Sequence, residues 1–230
     1  THPFNVGYDF NHSSSYVQAF ADSVLDFWTT NFRFDGYRFD LSKGLTQFNS
    51  LGDVGLWSNY DWERVNNIKR ITNNLWNKHP GTIVILEHFA NNDEEMELAS
   101  HGCLLWGKAH TEYNQSTMGY VGGQNDDFEY GVSHLERGWQ FHNLVGFMES
   151  HDEERLMYNN LNYGNQSGDY DIQNLNISLE RMSQAAAFFF TIPGPKMIWQ
   201  FGELGYDYSI NFPSNTCLLY TSDAADEHGC

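Results

Sequence analysis

The 230-residue sequence predicts an α/β fold built on a parallel sheet, and two observations lead to this class. First, short apolar runs alternate with longer segments of helical periodicity, as in parallel sheets whose strands are connected by helices. The strand candidates lie near residues 34–40, 82–86, 103–106, 144–148 and 196–201. Second, the run at 82–86 is uncharged and rich in β-branched side chains, which is typical of a strand buried on both faces.

The segments between the strand candidates include three predicted helices. Residues 16–30 carry one apolar stripe, formed by Tyr16, Phe20, Val24, Phe27 and Trp28. Residues 62–78 repeat the pattern and stop before a Pro-Gly pair, and residues 177–190 stop before two prolines. Residues 157–178 are rich in Asn, Gly and Tyr, so we predict a long loop there, with a disordered insertion as the alternative.

The first strand candidate ends with an arginine two positions before an aspartate. Residues i and i+2 of a strand point to the same face, so Arg38 and Asp40 are expected to be neighbours. A guanidinium beside a carboxylate lowers the pKa of that carboxylate, and an ionised aspartate is what a covalent nucleophile requires. A purely structural Arg–Asp pair is the alternative, and for this dipeptide alone it is the commoner case.

Two later strand candidates also end in acidic groups. Glu87 follows the run at 82–86, where partial desolvation would raise its pKa and suit a general acid. The run at 144–148 leads to His151 and Asp152. Each acid alone could be a helix cap or a solvated loop residue. Three such strand ends in one chain, each followed by a helix pattern, favour an active site.

Together these segments resemble signature regions of glycoside hydrolase family 13, the α-amylase family. Residues 36–40, Gly-Tyr-Arg-Phe-Asp, are similar to its nucleophile region, and residues 86–88, Leu-Glu-His, to its acid/base region. Residues 147–152 resemble the region that ends in His-Asp. Residues 1–12 resemble the loop before the nucleophile region in bacterial members, and the resemblance is closest to Bacteroidetes-type α-amylases.

The resemblance implies a (β/α)8 TIM barrel with its active site at the C-terminal ends of the strands. It implies that Asp40 is the nucleophile, Glu87 the acid/base and Asp152 the third carboxylate, which bonds hydroxyls of the distorted sugar ring. Carboxyl groups about 5 Å apart in the first two roles give retention of configuration. The implied reaction is hydrolysis of internal α-1,4 bonds in starch-like α-glucans.

The resemblance also assigns substrate-binding roles. Arg38 would hold Asp40 ionised, His151 would bond the same sugar as Asp152, and Lys43 would contact the leaving-group side. Ser150 stands where many members have Asn, which leaves the chemistry intact. Gly44 stands where many have His, which leaves the balance of hydrolysis and transfer open.

We expect an incomplete copy of the family's catalytic domain. The family's first signature region is not found, because Asp9-Phe10-Asn11-His12 has too short a spacing. The five strand candidates match the fourth to eighth strands of a barrel, so residues 1–213 are expected to be a partial barrel, and the isolated fragment to be inactive. Residues 217–227 resemble a translated sequencing adapter, and we predict that the 214–230 tail is not native.

Composition limits the partners. The net charge of −18 disfavours binding to nucleic acid, and no apolar run approaches the roughly 20 residues of a membrane span. The expected partner is an α-glucan polysaccharide or oligosaccharide, and the chemistry requires no cofactor. A structural calcium is implied by resemblance only, with oxygen ligands of the right kind at Asp9, Asp126 and Asp127. We expect an extracellular, periplasmic or cell-surface bacterial protein, although the missing N-terminus hides any export signal.

Several other reactive or aromatic side chains are interpreted as structural. Cys103 lies in a strand-like run and is expected to be a buried small apolar residue. Surface positions or satisfied core positions are expected for His88, His101, His110 and His134, and core positions for Trp57, Trp139 and Trp199.

Two other functions stay open at this point. A transglycosylase or debranching enzyme of the same family would use the same retained chemistry with different subsites. A catalytically silent barrel could bind sugars only, because a fold does not fix a function. The joint presence of Asp40, Glu87 and Asp152 argues against the silent barrel, since a binding module needs neither an acid nor a nucleophile.

Overall fold

A computed structural model describes residue 3 and residues 9–122 and 127–211 of the chain. Its helices, in chain order, are α1 (Ser15–Phe32), α2 (Val54–Ser58), α3 (Trp62–Lys78), α4 (Asn92–His101), α5 (His110–Thr117), α6 (Glu129–Val132), α7 (Leu156–Tyr163) and α8 (Leu175–Thr191). Its strands are β1 (Gly36–Phe39), β2 (Ile83–Leu86), β3 (Leu104–Gly107), β4 (Leu144–Gly146), β5 (Gln166–Ser167) and β6 (Tyr170–Asp171). Short 3-10 turns cover Ser42–Gly44 and Gly202–Leu204.

The fold is mixed α/β, as predicted, and its main sheet has the strand order β1-β2-β3-β4. The pairs β1–β2 and β2–β3 are parallel, with Gly36 opposite Ile83 and Phe39 opposite Leu86. Helices connect these strands in sequence, which is the arrangement that parallel pairing requires. Strands β5 and β6 form a separate antiparallel pair. Closure of the main sheet into a barrel stays a prediction.

The chain divides into two compact units, Thr1–Trp106 with His134–Leu144 and Gly107–Ser133 with Val145–Cys230. The core of the first unit packs α3 and α4 side chains against the strands. Its buried members include Val65, Ile68, Leu75, Leu86 and Leu98. Cys103 is fully buried in this core, as expected, and burial raises the pKa of its thiol to about 12.

Helix α3 matches its predicted boundaries because both ends carry clear signals. The Asp61 side chain caps the N-terminus by accepting from the backbone N–H groups of Glu63 and Arg64, at 3.0 and 3.3 Å. The helix ends at Lys78, before the residue that precedes a proline. Its apolar face is buried, so the pattern seen in the sequence is the face that packs on the sheet.

Helix α1 covers the predicted residues 16–30. The apolar stripe that led to this prediction is, however, exposed. Tyr16 is 86% exposed, and Phe20, Phe27 and Trp28 are also exposed. Leu25 is the buried residue of this helix. The aromatic rings pack on one another instead, with the Trp28 and Phe32 centroids 4.6 Å apart. An apolar stripe on a helix therefore marks a face that avoids water, but it does not specify what covers that face.

In the second unit, a smaller core forms around α5, α7 and α8. Its buried members are Ala109, Tyr113, Leu156 and Phe189. Helix α8 confirms the third predicted helix, and its N-terminus is capped by the Asn174 side chain, which accepts from the Asn176 N–H at 2.9 Å.

Three expectations about local structure are wrong in whole or in part. The candidate at 196–201 is not a strand. Gly146 flanks Lys196 with two bonds, donating its N–H to the Pro195 carbonyl and accepting the Met197 N–H, and the chain then turns at Phe201, whose φ is +66°. The predicted loop at 157–178 instead contains most of α7, the β5–β6 pair and the start of α8. Strand β2 is buried on one face only, since Ile83 is half exposed.

Other expectations have mixed outcomes. Trp57 and Trp139 are buried, as expected, whereas Trp199 is only partly buried. Over the residues that the structure describes, no helix combines the length and the apolar character needed to cross a bilayer. The 214–230 tail lies outside the described residues.

Candidate functional site

Strands β1 and β2 end side by side, and an acidic residue follows each of them at the same edge of the sheet. Phe39 and Leu86 are the last paired residues, and the next residues are Asp40 and Glu87. The Glu87 N–H donates to the Phe39 carbonyl at 3.0 Å, which extends the ladder by one step. The parallel register therefore makes the two carboxylates neighbours at the carboxyl ends of the strands.

Arg38 lies between these two carboxylates. Its Nη1 contacts Asp40 Oδ1, and its Nη2 is 3.1 Å from Glu87 Oε2. The Arg38 guanidinium carbon is also 5.3 Å from the centre of the Trp106 ring, a cation–π distance. The predicted contact between Arg38 and Asp40 is confirmed. The same guanidinium also forms an ion pair with Glu87, which the sequence pattern did not indicate.

The two carboxylates differ in their exposure to solvent. The Asp40 side chain is 63% exposed, whereas the Glu87 side chain is 10% exposed. An exposed carboxylate held by a guanidinium is accessible to a ligand, while a buried one is desolvated. The pair therefore offers one accessible anion and one acid in a poorly solvated position.

Burial raises the pKa of Glu87 above its ordinary value, which confirms the predicted direction. The Leu41 N–H, which donates to Glu87 Oε2 at 2.9 Å, and the charge of Arg38 oppose this rise. The charge of Asp40 and its hydrogen bond to Glu87 reinforce the rise, because a proton shared with a second carboxylate is held more tightly. Glu87 thus holds a proton more tightly than an ordinary glutamate does.

Lys43 follows the same strand end but is buried. Its Nζ donates to Ser58 Oγ and to the Phe89 carbonyl, both at 3.0 Å, and lies 4.2 Å from the centre of the Trp57 ring. These contacts position the ammonium within the first unit. Contact of Lys43 with a sugar on the leaving-group side stays a prediction.

In the second unit, His151 and Asp152 lie in a bend that follows β4. His151 Nε2 is 3.3 Å from Asp152 Oδ2, and the His151 ring centre is 5.7 Å from that of Trp199. The Asp152 N–H donates to Ser150 Oγ at 3.2 Å, so Ser150 supports the bend. The Asp152 carboxylate is 55% exposed.

The structure therefore groups the predicted site residues in two sets. Arg38, Asp40 and Glu87 contact one another in the first unit, and His151 contacts Asp152 in the second. Convergence of the three acidic groups on one sugar stays a prediction.

Sequence reasoning did not single out Glu149, a second buried glutamate after an apolar strand. Its Oε2 accepts the Leu156 N–H at 2.9 Å, and its Oε1 is 3.5 Å from Arg155 Nη1. Burial raises its pKa, against the opposing effects of the Leu156 N–H and Arg155. The available signal was the position of Glu149 directly after Phe147 and Met148, which parallels the position of Glu87 after Leu86.

No three His, Cys, Asp or Glu side chains gather as a metal site among the described residues. Asp126, one of the proposed calcium ligands, lies outside them. Calcium therefore stays an implication of the resemblance, and no chemical step is derived through it.

Comparisons with known proteins support the fold. No protein-family model matches the sequence, and no curated protein matches it. Among solved structures, the chain is similar to Eubacterium rectale Amy13B, with a TM-score of 0.59 and 16% sequence identity. The match covers 86% of this chain and 36% of the Amy13B chain. The chain thus has a distant likeness in fold to part of that protein and spans about a third of its length.

Proposed function

We propose that the protein is a retaining glycoside hydrolase that cleaves internal α-1,4 bonds of starch-like α-glucans by double displacement. The observation that carries the proposal is the Arg38-bridged pair of Asp40 and Glu87, one exposed and one buried with a raised pKa. A likeness in fold to Amy13B, whose name denotes an amylase, is consistent with a carbohydrate substrate.

The two carboxylates suit the two halves of this reaction. Asp40, which is accessible and ion-paired, attacks the anomeric carbon, while protonated Glu87 donates its proton to the departing glycosidic oxygen. The glycosyl–Asp40 ester forms as the glycosidic bond breaks. Glu87, now ionised, removes a proton from water, the water oxygen attacks the anomeric carbon, and the released Asp40 carboxylate re-forms its contact with Arg38.

The remaining predicted residues would bind the sugar. We propose that Asp152 accepts hydrogen bonds from hydroxyls of the distorted ring and that His151 bonds the same ring. Their mutual contact and the exposure of Asp152 suit this role, since an exposed carboxylate can accept from hydroxyl groups. Lys43 is proposed to act on the leaving-group side.

A trapping experiment tests the nucleophile directly. The protein expressed from its native gene is incubated with a 5-fluoro-α-glucosyl fluoride, which forms the glycosyl–enzyme quickly and releases it slowly. We expect one added glycosyl mass on the peptide that contains Asp40. An Asp40→Asn variant should remain unlabelled, and an Asp35→Asn variant, altered at an exposed acid before β1, should label normally. Labelling of another residue, or none, would refute the assignment.

Transfer instead of hydrolysis is the second candidate, which Gly44 in place of the family's usual His leaves open. Both reactions share the covalent intermediate and differ in the acceptor that resolves it. Chromatography of products from a single maltooligosaccharide separates them: hydrolysis gives only shorter chains, whereas transfer also gives longer ones.

A further inference from the structure

We infer that Ser42 is a positioning residue for Glu87, and that His88, Glu94 and Arg64 hold Ser42 in place. The inference rests on the proposed function, because it concerns the proton that Glu87 transfers. Its physical basis is a continuous set of buried hydrogen bonds that begins at Glu87 and ends at an internal ion pair.

Ser42 binds the Glu87 main chain twice. Its N–H donates to the Glu87 carbonyl at 2.9 Å, and its hydroxyl is 2.8 Å from the same oxygen. The hydroxyl is also 2.8 Å from His88 Nδ1. Ser42 is fully buried, so each of these polar contacts replaces a bond to water. Loss of the hydroxyl would leave two buried groups without this partner.

The preceding residue binds the other end of Glu87. Leu41 adopts the left-handed conformation, with φ +40° and ψ +45°, which leucine rarely does. In this conformation its N–H donates to Glu87 Oε2 at 2.9 Å. Leu41 and Ser42 together therefore hold both the carboxylate and the carbonyl of Glu87. Anchoring of Ser42 maintains the unfavourable backbone conformation that brings the Leu41 N–H to the carboxylate.

His88 connects Ser42 to a buried ion pair. Its Nε2 is 2.6 Å from Glu94 Oε1, which Arg64 Nε approaches at 2.5 Å. Burial alone would raise the pKa of Glu94, but hydrogen bonds from His88 and Arg64 outweigh it and hold the pKa below its ordinary value. Arg64 also donates to the Trp57 and Asn59 carbonyls, both at 3.0 Å. An ion pair with this many partners has little freedom to move.

The charges that act on the Glu87 carboxylate do not come from Ser42. Arg38 and Asp40, at the end of β1, are the charged groups that act on the Glu87 carboxylate, and His88 is its neighbour in the chain. Replacement of Ser42 changes none of these charges. Any change in the pKa of Glu87 would therefore come from the Leu41 N–H, whose bond favours the ionised carboxylate.

Ser42→Ala in the protein expressed from its native gene tests this role. We expect kcat on maltooligosaccharides to fall about tenfold with KM unchanged, because a small misplacement of the acid affects the transition state more than binding. The basic limb of the kcat/KM profile should move to higher pH, since the carboxylate loses a donor that stabilised its charge. Ser42→Thr, which returns the hydroxyl, should recover part of both effects.

Ser50→Ala is the matched control, because Ser50 is equally buried and its hydroxyl has no hydrogen-bond partner among the residues that the structure describes. It should move neither kcat nor the pH profile. If Ser42→Ala does not fold, Ser42→Cys, which fills the same buried space with a weaker donor, should shift the profile in the same direction by a smaller amount. A folded Ser42→Ala variant with an unmoved profile would overturn the inference.

A second readout separates this inference from the proposed function. The titration of the Glu87 side-chain carboxyl can be followed by NMR without any substrate. If the wild-type protein cleaves no glucan, the proposed function fails. The NMR titration then still decides the inference: a raised Glu87 pKa in Ser42→Ala supports it, and an unchanged pKa contradicts it.

Discussion

Glu87 and Glu149 occupy corresponding positions in the two units, and the contrast between them identifies the candidate acid. Each follows an apolar run, each accepts one backbone N–H at 2.9 Å, and each lies near one arginine. Burial raises the pKa of both. The difference lies in the second carboxylate. The exposed Asp40 contacts the same arginine as Glu87, whereas Glu154 and Glu203 act on Glu149 through their charges.

This contrast shows that a perturbed pKa is insufficient to assign a catalytic role. A buried glutamate with a raised pKa can result from packing alone, as desolvation does not distinguish structural from reactive groups. A glutamate paired with an accessible second carboxylate can divide acid and nucleophile roles between two environments. We therefore expect changes at Asp40 and Glu87 to affect chemistry and changes around Glu149 to affect stability.

Asp40→Ala is expected to have the largest effect. Loss of the nucleophile should reduce kcat on starch by at least about 10⁴-fold, as removal of a covalent nucleophile does in other enzymes. Added azide should not restore turnover of starch, whereas a pre-activated glycosyl fluoride should react. Steady-state kinetics on both substrates checks this. Near-normal turnover of starch would show that Asp40 is not the nucleophile.

Glu87→Gln should have the next largest effect and should depend on the substrate. Removal of a general acid costs about 10²- to 10⁴-fold when the leaving group needs a proton. We expect that loss on starch and a much smaller loss with a fluoride leaving group, which needs less protonation. Glu180→Gln, at an exposed glutamate of α8, is the control and should leave the turnover of both substrates unchanged. Equal losses on both substrates would contradict an acid role for Glu87.

Gly202→Ala should destabilise the protein through Glu149. A Cβ at Gly202 would lie 2.5 Å from Glu149 Oε1, so the buried carboxylate would have to move away from the Leu156 N–H. Overpacking of this kind costs about 1–3 kcal/mol in the free energy of unfolding. Urea denaturation measures it. Gly146→Ala is the comparison, because its Cβ would meet no atom closer than 3.5 Å. Equal stabilities of the two variants would show that the Glu149 carboxylate can move without cost and is not held in place by the Leu156 N–H.

Glu149→Gln should have the smallest effect, seen in the pH dependence of stability. The pKa of Glu149 is raised in the folded state, so the folded protein binds this proton more tightly than the unfolded one. Its contribution is fully present below the unfolded-state pKa and is lost as the pH rises through the folded-state pKa. The Gln variant should lack this loss and gain in relative stability as the pH rises. A constant difference between the two proteins across that range would be inconsistent with a raised pKa.

The sequence allowed the sheet edge to be predicted but not its internal bonding. The i, i+2 spacing of Arg38 and Asp40 and the apolar run before Glu87 were sufficient, because strand geometry is local and regular. The left-handed Leu41 was not predictable, because its conformation is maintained by the bonds of Leu41 and Ser42 to Glu87, a residue that is distant in the sequence. The Ser42–His88 contact joins residues 46 positions apart and was missed for the same reason.

The errors outside the site have a common cause. The candidate at 196–201 has strand composition, but backbone pairing ends after Met197 and the chain turns at Phe201. The aromatic stripe of α1 has core composition, yet it is exposed. Composition and periodicity indicate which surfaces avoid water, whereas pairing and burial depend on which partners are present.

The most direct measurement is a residue-resolved NMR titration of the side-chain carboxyls in wild type and Asp40→Asn. We predict that Glu87 titrates above its ordinary range in the wild type and that its pKa falls when Asp40 loses its charge, while Glu149 does not respond. A Glu87 pKa that is ordinary in the wild type, or unchanged in Asp40→Asn, would show that the two carboxylates do not act as a coupled pair.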